Sequence, residues 1–168
     1  MDLKEQREQL EQLMDEYGTQ LLRMCTIYLR DRDLAQDAVQ DTFLKAYRHL
    51  PAFRGECSRK SWLMGIAINT CRDYLRTAWF RHIDRRTDAD ALPETPAPDN
   101  FKDHTVLTEV NRLPKRYREV ILLRYYQGLK VKETADALQL SASAVKQRIK
   151  RANAILHDRL KEWYFDEE

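Results

Sequence analysis

A chain of 168 residues with 43% hydrophobic and 33% charged side chains holds enough apolar mass for a core, which excludes disorder throughout. No apolar run approaches the roughly 20 residues of a membrane span, and three cysteines without CxxC spacing speak against a disulfide framework or a zinc site, leaving Cys25, Cys57 and Cys71 as packing residues. The formal net charge of +2 averages over acidic stretches and two basic ones, 72–86 and 145–161, each suited to a polyanion.

Leu10, Leu13, Tyr17, Leu21, Met24 and Tyr28, followed by Ala35, Ala38, Val39, Phe43, Ala46 and Tyr47, keep a helical period and predict at least two helices between Leu3 and Leu50. "RDRD" separates them and offers Asp31 or Asp33 as an N-cap. Gly18 either bends the first helix or divides it. The opening "MDLKEQREQLEQLMDEY" is acidic and amphipathic, unlike a secretory signal, so the expected location is cytoplasmic. "LPAFRGECS", with Pro51 and Gly55, predicts a loop.

A third helix follows in "SRKSWLMGIAINTCRDYLR", where Leu63, Ile66, Ala67, Thr70, Cys71 and Leu75 form the apolar stripe. The opposite side carries Arg59, Lys60, Asn69, Arg72, Asp73 and Arg76, which suits a polyanion and equally an ordinary solvated surface. Trp62, in this basic setting, reads either as packing or as a contact residue. After Arg86, "TDADALPETPAPDNFKD" brings Pro93, Pro96 and Pro98 and few apolar residues, the composition of a tether without a core of its own. The expected fold is all-α: two small helical domains, 1–80 and 104–168, joined by a flexible linker over 81–103.

In the second domain a helix ends at Leu113 before Pro114, and another buries Tyr117, Val120, Ile121 and Tyr125 and closes at Gly128. "LKVKETADALQLSASAVKQRIKRANAILHDRLK" then has helix-turn-helix spacing. Val131, Ala135 and Leu138 face inward, "QLS" turns, Ser141 caps, and Val145, Ile149, Ala152 and Leu156 line the second helix. Its outward side presents Lys146, Gln147, Lys150 and Arg151, with Arg148 on the flank. Lys and Arg match guanine acceptors, Gln matches adenine, and flanking cations match phosphates.

Read together, "DAVQDTFLKAY", "FRGECS", the pair Trp62 and Asn69 seven residues apart, and "LPKRYREVILLRYYQG" ahead of the helix-turn-helix resemble an extracytoplasmic-function (ECF) sigma factor of bacterial RNA polymerase. The resemblance spans almost the whole chain, with the first domain similar to sigma region 2 and the second to region 4. It implies transcription initiation without catalysis of bond formation and without a cofactor. Core RNA polymerase would meet the helix that carries Asp37, Gln40, Asp41 and Phe43, the last packing behind the polar three. Region 2 would capture the opened, single-stranded -10 element through Lys60, Trp62, Asn69, Arg72 and Arg76, with the loop 54–60 shaping a pocket for an extruded base and Trp62 supporting it. Region 4 would bind the -35 element as duplex through Lys146, Gln147, Arg148, Lys150 and Arg151. Many relatives are restrained by an anti-sigma factor, so such a partner is expected too.

The scattered His49, His82, His104 and His157, without metal-ligand spacing or a glycine-rich loop before a helix, leave little room for an enzyme. A helix-turn-helix regulator acting without polymerase remains the main rival. Arg59, Met64 and Gly65 depart from common family choices, and Arg59 and Gly65 motivate a third reading, an adaptor that binds polymerase without opening promoters.

Overall fold

In the computed structural model, which describes residues 1–83 and 104–164, the period over 3–50 resolves into two helices, α1 (Leu3–Leu29) and α2 (Arg32–His49). Asp31 is the cap between them: its carboxylate accepts from the Asp33 and Leu34 amides at 2.9 and 3.1 Å, an arrangement worth about 1 kcal/mol. Arg30 closes α1 in the left-handed conformation and donates its amide to the Thr26 carbonyl at 2.8 Å. Gly18 does not divide α1, which runs unbroken past it. The Pro-rich stretch and the end of the acidic tail lie outside the described residues.

A short 3-10 turn at Leu50–Ala52 and a loop with Gly55 at φ 72° lead to α3 (Arg59–Ile83). Ser58 starts it, its hydroxyl accepting from the Ser61 amide at 3.1 Å. These three helices pack on one another through Leu13, Leu21, Met24, Cys25 and Tyr28 of α1, Ala35, Ala38 and Ala46 of α2, and Leu63, Met64, Ala67, Ile68 and Cys71 of α3. The alanines let α2 lie close on its neighbours. Cys25 and Cys71 meet sulfur to sulfur at 3.5 Å in this core, as packing residues do.

The chain divides into two compact units, Met1–Pro96 and Ala97–Glu168. In the second, α4 (His104–Arg112) stops before Pro114, and α5 (Lys115–Ile121) begins on it. The helix expected to continue through Tyr125 instead widens into a π turn at Leu122–Tyr126, with the Gln127 amide on the Leu122 carbonyl at 3.0 Å. The additional residue in the turn brings Leu122 and Leu123 both inward and swings Tyr125 out, so Tyr125, expected in the core, is 56% exposed. Two buried leucines, at about 2 kcal/mol each, outweigh the poorer hydrogen bonding of such a turn.

Gly128 at φ 69° and buried Leu129 carry the chain into α6 (Val131–Leu138). Lys130 has no capping hydroxyl, and the Glu133 carboxylate compensates by accepting the Lys130 amide at 3.2 Å. Val131, expected inward, is only half-buried; Thr134, Ala135, Ala137 and Leu138 form the inner face. Gln139 turns the chain at φ 54°, Ser141 accepts the Ala144 amide at 3.1 Å, and α7 (Ala142–Tyr164) follows, seated on Val145 and Ala152. Among the described residues there is no strand, and no helix is long and apolar enough to cross a membrane.

Candidate nucleic-acid interface

The α6–α7 pair is a helix-turn-helix whose tightness follows from one small side chain. Ala135 lets the two helices meet, while the Leu140 amide bonds back to its carbonyl at 3.0 Å and fixes the exit of the turn. With Ser141 capping α7, the first three turns present Lys146, Gln147, Lys150 and Arg151 exposed and Arg148 half-buried at the side. This is the distribution expected from the sequence: one face with both donors and an amide, and a cation at its flank.

α7 is held from behind by charge as well as by packing. Glu109 of α4, nearly buried, pairs with Arg112 at 3.1 Å and with Arg159 of α7 at 3.5 Å. Tyr125, which the π turn places outside, accepts from the Asn153 amide of α7 at 3.2 Å. This exposed face therefore sits on a helix held at its start, at its middle and further along.

In the first unit, Lys60 and Trp62 lie half-buried at the start of α3, Asn69 is exposed, and Arg72 and Arg76 follow on successive turns. Trp62 stacks obliquely on Phe53, with ring centroids 4.9 Å apart and planes at 35°. The two rings wall a cavity of about 440 Å³ lined also by His49, Arg54, Glu56, Cys57 and Ile66, so Cys57 borders solvent-filled space rather than the core. Asn69 accepts from Arg72 at 3.1 Å, which directs its amide NH2 outward as a donor. Arg76 is partly neutralised by Asp73 at 2.8 Å, and Lys45 of α2 approaches the same Asp73 at 3.8 Å.

On α2, Asp37 and Gln40 are exposed at helical spacing, with Leu44 48% exposed one turn further along. Phe43, grouped with this face from the sequence as the residue packing behind it, is 6% exposed and does lie beneath it. Leu44 is the apolar side chain that the surface offers; its seven-residue spacing from Asp37 was the available signal. Asp41 is half-buried and accepts from the Tyr74 hydroxyl of α3 at 2.5 Å. Burial and then that carboxylate push the Tyr74 phenol well above its ordinary range, so it remains a hydrogen-bond donor.

Among the described residues no three His, Cys, Asp or Glu side chains gather into a metal site. The chemistry available is stacking, hydrogen bonding and charge, as a nucleic-acid reader requires.

Comparison with known proteins finds two separate matches along the chain. Residues 13–81 match the family described as Sigma-70 region 2, and residues 104–155 match Sigma-70, region 4. The RNA polymerase sigma-H factor of Pseudomonas aeruginosa is 31% identical, over 83% of this chain and 80% of that protein. The ECF RNA polymerase sigma factor SigL of Mycobacterium tuberculosis is 31% identical, over 89% of this chain and 88% of that protein. Among solved structures, CnrH in complex with the cytosolic domain of CnrY is similar at a TM-score of 0.70 and 27% identity, covering 93% of this chain and 90% of that one. The sigma factor RpoE from Bartonella quintana, solved with the anti-sigma factor NepR, shares the fold at a TM-score of 0.74 and 24% identity, over 90% of this chain and 98% of that one.

Proposed function

Because this chain belongs to the sigma-70 family as an ECF sigma factor, we propose that its exposed Lys146, Gln147, Lys150 and Arg151 read the -35 element as duplex, while Trp62, Asn69, Lys60, Arg72 and Arg76 hold one strand of the opened -10 element. The protein is an alternative sigma factor that binds core RNA polymerase and directs promoter-specific initiation. It is not an enzyme. The observation that carries the residue assignment is the uninterrupted basic and amide face on the first turns of α7, held by the Ser141 cap and the Ala135 contact.

In the first unit, the cavity walled by Trp62 and Phe53 supports a role as the receptacle for an unstacked base, with Trp62 as wall. The NH2 of Asn69, directed outward by Arg72, is suited to a base acceptor, and the cations at Lys60, Arg72 and Arg76 to the strand's phosphates. Asp37, Gln40 and Leu44, with Asp41 tethered by Tyr74, form the face we assign to core polymerase. An anti-sigma factor is the further partner, by analogy with the RpoE complex, and the cytoplasm the expected place of action.

Transcription from a mixed genomic template, with core polymerase stripped of sigma and mapping of the new RNA 5′ ends, tests this reading. New start sites that share two upstream elements are the expected result. Polymerase binding without new starts would favour the adaptor reading, and duplex binding without polymerase the regulator.

A further inference from the structure

Every hydroxyl of α3 is committed within the protein. The Ser61 and Ser58 hydroxyls bond to each other at 2.8 Å, Thr70 and Thr77 donate to the Ile66 and Asp73 carbonyls at 2.8 and 3.0 Å, and Tyr74 donates to Asp41 at 2.5 Å. A hydroxyl rotates to serve as donor or acceptor at need, and α3 keeps none for a base. What it does present is its single side-chain amide, Asn69.

The polarity of that amide is fixed by a neighbour. Arg72, one turn further along α3, donates to the Asn69 Oδ1 at 3.1 Å. A guanidinium has no acceptor, so only the oxygen can face it, and the amide cannot flip without losing this bond. Asn69 is exposed and Arg72 half-buried, and the Asn69 NH2 has no partner among the described residues. The carboxylate next in the chain, Asp73, is taken by Arg76 at 2.8 Å and approached by Lys45 at 3.8 Å.

We propose that Arg72 sets a base preference in the opened -10 strand by holding Asn69 as a donor-only reader, which selects a keto base at one position and rejects an amino base. The inference rests on the assignment of Asn69 to that strand. An asparagine with both ends available pairs with adenine, accepting from N6–H2 while donating to N7. With Oδ1 occupied, adenine keeps only the N7 half of that pairing. The remaining NH2 finds an acceptor in guanine O6 or thymine O4, but opposes another donor in the amino groups of adenine and cytosine. Two opposed donors leave both unpaired once the strand covers the site, and an unmade hydrogen bond there costs more than a made one contributes. Arg72 is accordingly a positioning residue that acts through Asn69. Donation to a neutral amide leaves its positive charge in place, so its attraction for the strand's phosphates is uniform over sequences and separate from the preference.

The test uses holoenzyme assembled from the full chain and core polymerase, on a promoter found by the 5′-end mapping and pre-opened over the -10 region so that melting does not enter. Each base of the non-template strand is replaced in turn by the other three and by hypoxanthine, a purine with a keto oxygen in the place of adenine's amino group. At one position wild-type holoenzyme is expected to bind hypoxanthine about five- to tenfold more tightly than adenine, and thymine more tightly than cytosine. Asn69→Ala abolishes that preference. Arg72→Met keeps the half-buried stem but not the donor, and brings adenine to within about twofold of hypoxanthine, whereas Arg72→Lys, still a donor to Oδ1, retains the preference. If Arg72→Met weakens binding to every base by one factor and leaves the ratio of hypoxanthine to adenine as in wild type, the inference is overturned, because Arg72 then acts as a phosphate contact alone. Loss of the preference in Arg72→Lys as complete as in Arg72→Met counts against it too, since a donor to Oδ1 is then not what matters. If Asn69→Ala shows wild-type preferences at every -10 position, the assignment of Asn69 to the strand fails, and the inference with it.

Discussion

Replacing Trp62 by Ala and by Phe separates wall from contact. Truncation of a fully buried aromatic costs about 3–5 kcal/mol. Trp62 is half-buried, so about 2 kcal/mol applies, and losing the oblique pair with Phe53 at 4.9 Å adds about 1 kcal/mol. A total near 3 kcal/mol, at about 4–8 °C per kcal/mol for a small domain, lowers the melting of the first unit by more than about 10 °C. Trp62→Phe retains a ring opposite Phe53 and is expected to lose about 1 kcal/mol and keep most initiation. Thermal unfolding followed by circular dichroism reads the stability. Initiation is then compared on duplex templates and on templates with a pre-opened -10 region. The reasoning fails if Trp62→Phe melts as wild type yet loses more than about tenfold of its initiation on both templates: such a loss, about 1.4 kcal/mol at the base itself, means that the indole is a stacking surface rather than a wall.

Ser141→Ala removes the acceptor for the Ala144 amide and is expected to cost the second unit about 1 kcal/mol in urea unfolding, with -35 binding reduced in proportion to the fraying of α7. The raised Tyr74 phenol retains in the folded chain a proton that the unfolded chain releases near pH 10. Stability is therefore full below that pH and falls as pH climbs beyond it. Tyr74→Phe flattens part of the fall in alkaline melting curves, while Tyr17 and Tyr126, also raised by burial, sustain the rest. On α2, Asp37→Lys and Leu44→Ala are expected to weaken core-polymerase association in a pull-down without altering melting, because both side chains are exposed, whereas Phe43→Ala should lower melting by unpacking the core.

The elements were legible where one force dominated. Helix period gave α1, α2, α3, α6 and α7, and the caps Asp31 and Ser141 were readable because each bonds to an amide two or three residues ahead, a local matter. The exposed cations of α7 were legible for the same reason, being the remainder once Val145 and Ala152 are buried. Tyr125 was not, because a π turn satisfies its backbone at a spacing the helical period does not contain, and the burial of Leu122 and Leu123 that drives it depends on the rest of the domain. Leu44 was passed over for a related reason: it is apolar like Phe43, which packs as expected, and only the rest of the domain decides that Leu44 stays uncovered.

The π turn makes chain length, rather than side-chain identity, the sensitive variable at the foot of α5. Removing one residue from Leu122–Tyr126 would take away the residue that the wide turn needs, and with it the winding that carries Leu122 and Leu123 both inward. Leu129 would leave its buried seat and the reading head would turn away from its support. Substitutions at exposed Tyr125 are tolerable by comparison, so this segment can drift in composition but is locked in count.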